Sequence, residues 1–449
     1  MTTRPDTIFA LSSGAGKAGV AVVRVSGPDA CAVLHALTGR SEWPTRVACR
    51  ARLVDPSTDD VLDDALALYF PAPNSYTGED VVELHVHGGR AVIAGVLAAL
   101  GRIEGVSPAE PGEFTRRAFL NGKFDLTAAE GIADLIDAET EAQRRQAVRQ
   151  AEGALGRLYD AWRTRLIRIL AFWEAHIDFP DEDLPAEIVD QTRAEIQPLI
   201  ESIEAQLRDG QRGERLRDGF SVAIVGAPNV GKSSLLNALA RREAAIVSSI
   251  AGTTRDIVEV YLDLAGYPVI LADTAGLRDL QSVGQADPIE AEGIRRALER
   301  AAAADLKLVV FAADADLEST TLDLVDERSL VVVNKSDRGA VDAAKFPVGT
   351  KIYRVSARTG DGIETLTRAL VERVGTQLEV GEAPVMTRAR HRAALEDCVE
   401  SLRAALRAEQ LELAAEDLRL AARALGRISG RVDVEDLLDV IFYQFCIGK

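Results

Sequence analysis

The eight residues 226–233, GAPNVGKS, constrain the fold of this chain more than any other segment. They match the pattern GxxxxGK[ST] and lie between a strand-like run ending at Val225 and a helical stretch beginning near Ser234. In this setting the glycines let the loop bend, its N–H groups face phosphate oxygens and the helix N-terminus adds its dipole. The segment therefore predicts a nucleotide-binding α/β domain rather than a simple Gly-rich turn.

Strand-like and helical segments alternate around this loop. The strand-like runs are FSVAIVG, PVILAD, LKLVVFAA, SLVVVNK and KIYRVSA, all between residues 220 and 357. Such alternation is typical of a parallel sheet with crossover helices.

Further short motifs follow the predicted strands and indicate the nucleotide. Asp273 begins DTAG, where an aspartate can hold Mg²⁺ through water and a glycine N–H can sense the γ-phosphate. Asp337 ends NKSD, and its carboxylate can accept from both N1–H and the 2-amino group of guanine, a donor pair that adenine lacks. Ser356 and Ala357 follow another strand, and Thr254 lies in AGTTRD between the first two motifs. The ordered set predicts a GTP-binding domain.

Two residues depart from the pattern of small signalling GTPases. Leu277 directly follows DTAG, where those proteins have a water-orienting Gln. Because leucine cannot orient water, Glu290 and Glu292 are the nearest candidates, and one of them is expected to be a solvated helix carboxylate. Asn229 places an amide oxygen inside the phosphate loop, where it can ligate a monovalent cation that neutralises charge in place of an arginine finger.

Helical sequence flanks the α/β region on both sides. Before it, apolar residues step by three or four, at Leu155, Leu158, Trp162, Leu166 and Ile169. After it, the spacing suits a helix bundle with core positions Leu395, Leu402, Leu406, Leu413, Leu420 and Leu425. We therefore expect an N-terminal α+β domain at 1–119, a helical domain at 120–215 and 377–449, and the α/β domain inserted at 216–376.

Composition sets outer bounds on function. Lys and Arg total 52 against 70 Asp and Glu, a formal net charge of −18, which argues against coating nucleic acid through overall positive charge. The acid is concentrated in residues 51–83 and 176–205. The four cysteines form no CxxC pair, and neither an N-terminal signal nor an apolar run long enough to span a bilayer is apparent, so we expect a cytoplasmic protein with no membrane association.

The motifs together carry a resemblance to a known family. GAPNVGKS, AGTTRD, DTAGLR and NKSD lie within a helical region that ends in FCIGK, and the N-terminal block contains PGEFTRRAFLNGK. Through these segments the chain resembles the bacterial tRNA-modification GTPases MnmE (TrmE). The resemblance extends over essentially the whole length of the chain. The resemblance implies a multidomain fold of α+β, α and α/β parts: an N-terminal tetrahydrofolate-binding domain that dimerises, a discontinuous helical domain and an inserted P-loop GTPase domain.

The resemblance also implies a reaction. With a flavin-dependent partner, MnmG (GidA), in a hetero-oligomer, the homodimer would attach an aminomethyl or carboxymethylaminomethyl group to carbon 5 of the wobble uridine of tRNA. The one-carbon unit would come from 5-formyltetrahydrofolate or methylene-tetrahydrofolate. Hydrolysis of GTP would use Mg²⁺ and be stimulated by K⁺ when the GTPase domains dimerise.

Residue roles carry over only to matching positions. The resemblance implies K⁺ ligands at Asn229, Ser248, Ile250 and Thr253, and Mg²⁺ ligands at Ser233 and Thr254. It implies catalytic roles for Lys232, Thr254 and the water-orienting Glu290, and folate contacts at Arg24, Glu83, Lys123 and Lys449. Motifs and resemblance together assign to GTP Asn229, Val230, Gly231, Lys232, Ser233, Ser234, Ser248, Thr253, Thr254, Asp273, Thr274, Ala275, Gly276, Asn334, Lys335, Asp337, Ser356, Ala357 and Arg358.

Two other functions share the GTP-binding motifs. A ribosome-assembly GTPase whose flanking domains only dock RNA would lack a folate site. A folate-dependent one-carbon transferase regulated by GTP would act on metabolites and leave the wobble uridine of tRNA unchanged. Folate binding and nucleoside analysis of tRNA distinguish these alternatives from the tRNA-modification function.

Overall fold

The computed structural model describes residues 7–14, 16–179, 185, 187–242, 244–246, 259–273, 302–340, 343–379, 381, 384–432, 438, 441–443, 445, 446 and 448. The chain divides into two compact units. The first comprises Met1–Ala133, Gln150–Phe179 and Ala415–Lys449, and the second comprises Asp134–Arg149 and Pro180–Ala414. None of the described helices is long and apolar enough to cross a membrane.

The described helices are α1 (Ala30–Thr38), α2 (Arg90–Leu100), α3 (Glu113–Leu120), α4 (Leu126–Asp137), α5 (Glu141–Ala151), α6 (Ala154–Asp178), α7 (Glu187–Ala194), α8 (Ile196–Asp218), α9 (Lys232–Arg242), α10 (Ser319–Leu322), α11 (Ile363–Leu378), α12 (Ala389–Arg407) and α13 (Leu411–Ser429). A 3₁₀ turn spans Ala343–Lys345.

The first unit contains a mixed sheet. Its strands are β1 (Thr7–Leu11), β2 (Ala18–Ser26), β3 (Cys49–Val54), β4 (Val61–Phe70), β5 (Val81–Gly88) and β6 (Val106–Pro108), in the spatial order β3-β4-β5-β2-β1-β6. Neighbouring strands are antiparallel except β1 and β6. Helices α1 and α2 pack on one face of the sheet.

Alternation along β2 and β5 decides which side chains face these helices. Val23, Val25 and Leu84 are completely buried in the core beneath α1 and α2. Because neighbouring residues of a strand point to opposite faces, Arg24 and Glu83 lie on the other face. The β2–β5 register places these two residues directly opposite one another.

Helix α6 follows the predicted periodicity, whereas helix α13 departs from it. In α6, Leu155, Trp162, Leu166 and Ile169 are buried and Leu158 is half-buried, as their spacing predicts. In α13 the placement of Leu413 and Leu420 in the core is wrong, since they are 59% and 46% exposed. The buried face of α13 instead contains four alanines, Ala414, Ala415, Ala421 and Ala424, together with Leu418, Leu425 and Ile428.

The second unit contains the α/β sheet. Its strands are β7 (Phe220–Val225), β8 (Ala244–Ile246), β9 (Glu259–Leu264), β10 (Tyr267–Asp273), β11 (Leu306–Ala312), β12 (Ser329–Asn334) and β13 (Ile352–Arg354). The spatial order is β13-β12-β11-β7-β10-β9-β8. The five strands from β13 to β10 are parallel, which confirms the predicted strand runs, whereas β9 and β8 extend the sheet in antiparallel fashion.

Apolar clusters cover both faces of this sheet. One face packs against α9 and α11 through residues such as Leu235 and Leu366, and the other packs around Phe311 and Phe346. The parallel strands all end at one edge of the sheet. Ligands of open α/β sheets bind outside these carboxyl ends, so the loops after β7, β11, β12 and β13 form the expected site.

The two chain segments that connect this sheet to the helices meet at one carboxylate. Arg217, in the last turn of α8 before β7, donates to Asp134 Oδ1 at 3.0 Å. Arg388, directly before α12, donates to the same oxygen at 2.6 Å. Side chains of Asp134 and Arg388 are only 12% and 13% exposed, so this is a largely buried ion pair.

Candidate nucleotide-binding site

The phosphate loop runs from the end of β7 to the start of α9. Gly226 has φ +151°, and a Cβ there would lie 2.2 Å from the carbonyl oxygen of Val310 on β11. Gly231 has φ +92°, and its Cβ would lie 2.4 Å from Asn334 Nδ2. Both positions therefore require glycine. Asn229 has φ +61°, a left-handed conformation that asparagine tolerates better than most residues.

Lys232 is the first residue of α9 and is 8% exposed. Its Nζ donates to the carbonyl oxygens of Gly226 at 2.8 Å and Ala227 at 3.0 Å, so the ammonium group is held over the loop. The next two residues, Ser233 and Ser234, are exposed in the first helical turn. Positive charge and a helix N-terminus thus meet at one place, which suits binding of an anion.

Asn334 joins the phosphate loop to the segments after β12 and β13. Its side chain is 2% exposed, and Nδ2 donates to the Val230 carbonyl oxygen at 2.9 Å. Its Oδ1 accepts from the Ala357 backbone N–H at 3.1 Å. One buried amide therefore fixes three loops that are far apart in the sequence.

Asp337 is held by Ser356, whose side chain is buried and whose Oγ donates to Asp337 Oδ1 at 2.7 Å. Arg358 Nε lies 3.8 Å from the other oxygen, Oδ2. The Ser356 hydrogen bond, together with nearby positive charge, lowers the pKa of Asp337 below its ordinary value. The carboxylate is therefore ionised, as it must be to accept two hydrogen bonds from a guanine base.

Lys335 adopts φ +59°, and its ammonium group contacts a carboxylate outside the predicted motifs. Its Nζ lies 3.1 and 3.4 Å from the two carboxylate oxygens of Asp314, which follows β11. Arg338 Nη1 lies 3.4 Å from Asp314 Oδ2. Asp314 has no place in the motifs from which the site was predicted, and only its position just after a parallel strand could have indicated it.

The structure thus brings together, at one edge of the sheet, the predicted residues Asn229, Val230, Gly231, Lys232, Ser233, Ser234, Asn334, Lys335, Asp337, Ser356, Ala357 and Arg358. Asp273 ends β10 at the same edge, and only its backbone is described. The remaining predicted residues Ser248, Ile250, Thr253, Thr254, Thr274, Ala275, Gly276 and Glu290, as well as Leu277 and Glu292, lie outside the described residues.

A second polar constellation lies on the face of the N-terminal sheet opposite to α1 and α2. Arg24 donates from Nε and Nη2 to Glu83 Oε1 at 3.2 and 3.0 Å. Its guanidinium carbon lies 5.1 Å from the ring centre of Tyr76 and 5.7 Å from that of Phe114. The remaining nitrogen, Nη1, is buried and has no hydrogen-bond partner among the described residues. A buried, unsatisfied guanidinium N–H favours an anionic or carbonyl-bearing ligand at this place.

The other two predicted folate residues are Lys123 and Lys449. Lys123 Nζ donates to the Pro73 carbonyl oxygen at 2.8 Å, in the loop that also carries Tyr76. Lys449 lies outside the described residues, but Gly448 is described, and its carbonyl oxygen accepts from Ser12 Oγ at 2.5 Å. The C-terminal end of the chain therefore lies against the segment after β1. Sequence reasoning assigned no role to Tyr76 or Phe114, although Phe114 lies within the segment PGEFTRRAFLNGK.

Models of two protein families match the chain. The model described as "GTP-binding protein TrmE N-terminus" matches residues 7–123, and "MnmE helical domain" matches residues 126–446.

Relatives match over nearly full length. The protein called tRNA modification GTPase MnmE from Parvibaculum lavamentivorans is 60% identical over 99% of this chain and 100% of its own length. The proteins of the same name from Paramagnetospirillum magneticum and Rickettsia typhi are 54% and 46% identical, each over 99% of this chain and 100% of their own length.

Solved structures share only part of the chain. A point variant of Aquifex aeolicus Era bound to GDP·AlF4⁻ is 26% identical, with a TM-score of 0.28, over 42% of this chain and 69% of that chain. The G domain of the Thermotoga maritima FeoB iron transporter is 27% identical, with a TM-score of 0.25, over 34% of this chain and 98% of that chain. The family of this chain therefore follows from the sequence matches and not from these scores.

The phosphate loop on a parallel sheet, together with the sequence matches, identifies the chain as a P-loop GTPase, an enzyme that hydrolyses GTP. More particularly, the chain belongs to the MnmE family of tRNA-modification GTPases. The predicted family and fold class are confirmed.

Proposed function

We propose that this GTPase, acting with a flavin-dependent MnmG (GidA) partner in the cytoplasm, adds an aminomethyl or carboxymethylaminomethyl group to carbon 5 of the wobble uridine of tRNA. The domain layout that we propose for this activity is 1–119 for folate binding and dimerisation, 120–215 with 377–449 for the helical domain, and 216–376 for GTP. The observation that carries the proposal is the match to MnmE relatives over nearly the whole chain.

GTP would lie along the edge formed by the described loops. The Lys232 ammonium group, held 2.8 Å from the Gly226 carbonyl oxygen, would contact the terminal phosphates. Asp337, ionised and oriented by Ser356, would accept from N1–H and the 2-amino group of guanine. The backbone N–H of Ala357, adjacent to Asn334, would lie beside the base.

Two cations fit the donor atoms of the phosphate loop. The exposed Ser233 hydroxyl is a hard oxygen ligand of the kind Mg²⁺ prefers, and Thr254 would supply another. The exposed Asn229 carries an amide oxygen that would hold K⁺, with Ser248, Ile250 and Thr253 completing its ligands. When bound, these cations supply positive charge that neutralises the phosphate oxygens.

Hydrolysis joins a water oxygen to the γ-phosphorus and breaks its bond to the β–γ bridging oxygen, giving GDP and phosphate. Glu290 would orient this water, the role that Leu277 cannot fill. Lys232 would stabilise the charge that develops on the phosphate oxygens. Thr254 and Glu290 lie outside the described residues, so these roles follow from the family resemblance.

A tetrahydrofolate derivative, 5-formyl or methylene, fits the constellation around Arg24. The buried Nη1 of Arg24 offers a charged donor, and Glu83 offers acceptor oxygens to pterin N–H groups. The Tyr76 and Phe114 rings, 5.1 and 5.7 Å from the Arg24 guanidinium carbon, would contact the bound ligand. Lys123 and Lys449 would contact the glutamate tail. When bound, the folate supplies the one-carbon unit.

The test of the hydrolytic part of the proposal is GTP turnover by the full-length protein in KCl and in NaCl. We expect a rate several-fold higher in KCl. Glu290→Ala should lower turnover about 100-fold or more, since loss of one group that acts only in the transition state has effects of that size. Glu292→Ala is the matched control and should stay within about twofold of wild type, the size expected of a solvated helix carboxylate.

Equal rates in the two salts would contradict the K⁺ site. An unaffected Glu290→Ala protein, or a loss confined to Glu292→Ala, would contradict the assigned water-orienting residue. Nucleoside analysis of tRNA from a deletion strain tests the remaining part, because an unchanged wobble uridine would exclude the modification reaction.

A further inference from the structure

Asp314 gathers two cations next to the residue that would read the guanine base. Its carboxylate lies 3.1 Å from Lys335 Nζ and 3.4 Å from Arg338 Nη1. Lys335 and Asp314 side chains are 25% and 27% exposed, so their ion pair is partly shielded from water, whereas the Arg338 side chain is 54% exposed. Lys335 and Arg338 flank Asp337 in the sequence, two residues before it and one residue after it.

The backbone fixes this arrangement. The Ala313 N–H donates to the Asn334 carbonyl oxygen at 2.8 Å, which ties the β11 loop to the β12 loop. The Ser336 N–H donates to the Val355 carbonyl oxygen at 3.1 Å, and the Arg338 N–H closes a turn onto Lys335 at 2.9 Å. The left-handed backbone at Lys335 turns its side chain toward Asp314, and such strained conformations concentrate at functional sites.

Positive charge near Asp337 has two opposing effects. After the Ser356 hydrogen bond, Arg358 and Arg338 help to lower the pKa of Asp337, which keeps its carboxylate ionised. A cation at hydrogen-bond distance from this carboxylate, closer than the 3.8 Å of Arg358 Nε, would, however, occupy the oxygens that the base needs. Lys335 and Arg338 have long, flexible side chains that could make such contacts if no other carboxylate held them.

We propose that Asp314 is a positioning residue for guanine recognition, which holds Lys335 and Arg338 so that the Asp337 carboxylate oxygens stay available to the base. This inference rests on the proposed role of Asp337 in reading guanine. Asp314 does not touch the nucleotide in this scheme and acts only through the two cations.

The proposed role of Asp314 predicts different effects on the binding of guanine and hypoxanthine nucleotides. IDP differs from GDP in lacking the 2-amino group, so the preference for GDP over IDP measures the hydrogen bond from that group to Asp337. In Asp314→Asn the released cations compete for Asp337, and this preference falls. Simple destabilisation of the site would weaken both nucleotides by the same factor.

The experiment measures the affinity of a fluorescent GDP and its displacement by GDP and IDP in the full-length protein. For Asp314→Asn we expect about tenfold weaker GDP binding and a several-fold smaller preference for GDP over IDP, the size of one charge-assisted hydrogen bond. Arg338→Gln alone should stay within about twofold of wild type, because Arg338 is more than half exposed. The double variant Asp314→Asn/Arg338→Gln should regain part of the lost preference, since one competing cation is gone.

Asp337→Asn separates failure of this inference from failure of the proposed base contact. It should weaken GDP and favour the xanthine nucleotide, which carries oxygen in place of the 2-amino group. If Asp337→Asn switches preference while Asp314→Asn leaves both affinities unchanged, or weakens GDP and IDP equally, the role of Asp314 is overturned. If Asp337→Asn leaves GDP binding unchanged, the proposed base contact itself is wrong.

Discussion

The nucleotide-binding edge and the Arg24 cluster are built on different principles. At the nucleotide-binding edge, the phosphate loop is one short run of residues, and glycine conformations and backbone hydrogen bonds define its shape. The Arg24 cluster gathers side chains from distant parts of the first unit, namely Arg24, Tyr76, Glu83 and Phe114. Its central feature is a charge taken largely out of water, since the Arg24 side chain is only 14% exposed.

The difference predicts how each site fails. A loop made of close backbone contacts is sensitive to one added methyl group and tolerant of charge changes at its rim. A cluster organised around a desolvated guanidinium is sensitive to loss of charge, because the largely buried Glu83 carboxylate is left without that guanidinium. The first two of the following experiments test this contrast, and the third tests the stability of the first unit. They are ordered from the largest expected effect to the smallest.

Gly231→Ala should produce the largest effect, at the nucleotide-binding edge. The new Cβ would lie 2.4 Å from Asn334 Nδ2 on a backbone with φ +92°, so both the loop and the Asn334 hydrogen bonds must shift. Together, backbone strain and the displaced contacts should weaken fluorescent GDP binding about 100-fold or more.

Gly375→Ala is the matched control for this experiment. Gly375 lies inside α11, and its Cβ would come no closer than 3.9 Å to Tyr267. GDP affinity should not change, and thermal stability should rise slightly, because alanine favours helix over glycine by about 1 kcal/mol. Unchanged GDP binding by Gly231→Ala would show that loop geometry is not what holds the nucleotide.

Arg24→Met should weaken 5-formyltetrahydrofolate binding, measured by calorimetry, by about 10- to 100-fold, the loss expected for charge-assisted hydrogen bonds. GDP affinity should not change. Arg50→Met is the control, because Arg50 lies on the same sheet and its side chain is 78% exposed. Arg24→Met with normal folate affinity would refute the proposed role of the Arg24 cluster, and equal loss in both variants would indicate a general charge effect.

The same contrast explains how far the sequence could predict the structure. The phosphate loop was recognisable because its residues are consecutive and its glycines meet a geometric need. Arg24 and Glu83 were identified only through family resemblance, and Tyr76, Phe114 and Asp314 were not identified at all. Their roles depend on strand register and on loops that converge in space, and single-sequence patterns contain neither kind of information.

The strands of the α/β sheet were also only partly predictable from the sequence. Its parallel strands are continuous apolar runs and were predicted, whereas β9 was not. β9 and β10 are joined by a two-residue turn at Ala265 and Gly266, both with positive φ. Such turns usually have the sequence Asn-Gly or Asp-Gly. Because alanine occupies the first position here, the sequence did not indicate the hairpin.

The smallest expected effect is a loss of stability of the first unit at alkaline pH, which depends on Tyr69. Burial, with the hydrogen bond to Asp80 at 2.9 Å next in importance, raises the pKa of Tyr69 from 10.0 to about 12. The native state therefore keeps its proton while the unfolded chain loses it between pH 10 and 12. This contribution to stability is complete below pH 10 and disappears as the pH rises toward 12. The full shift would correspond to about 2.7 kcal/mol, but Tyr69 is only partly buried, so about 1 kcal/mol is expected.

Tryptophan fluorescence tests whether this loss of stability is confined to the first unit. Its three tryptophans, Trp43, Trp162 and Trp173, all belong to the first unit, so intrinsic fluorescence in urea reports on that unit alone. Wild type should lose more stability than Tyr69→Phe between pH 9 and pH 11, because phenylalanine has no proton to lose. The difference between the two proteins should be absent when a fluorescent GDP reports unfolding of the second unit. Parallel pH dependences of wild type and Tyr69→Phe by tryptophan fluorescence would mean that the alkaline loss arises elsewhere in the first unit.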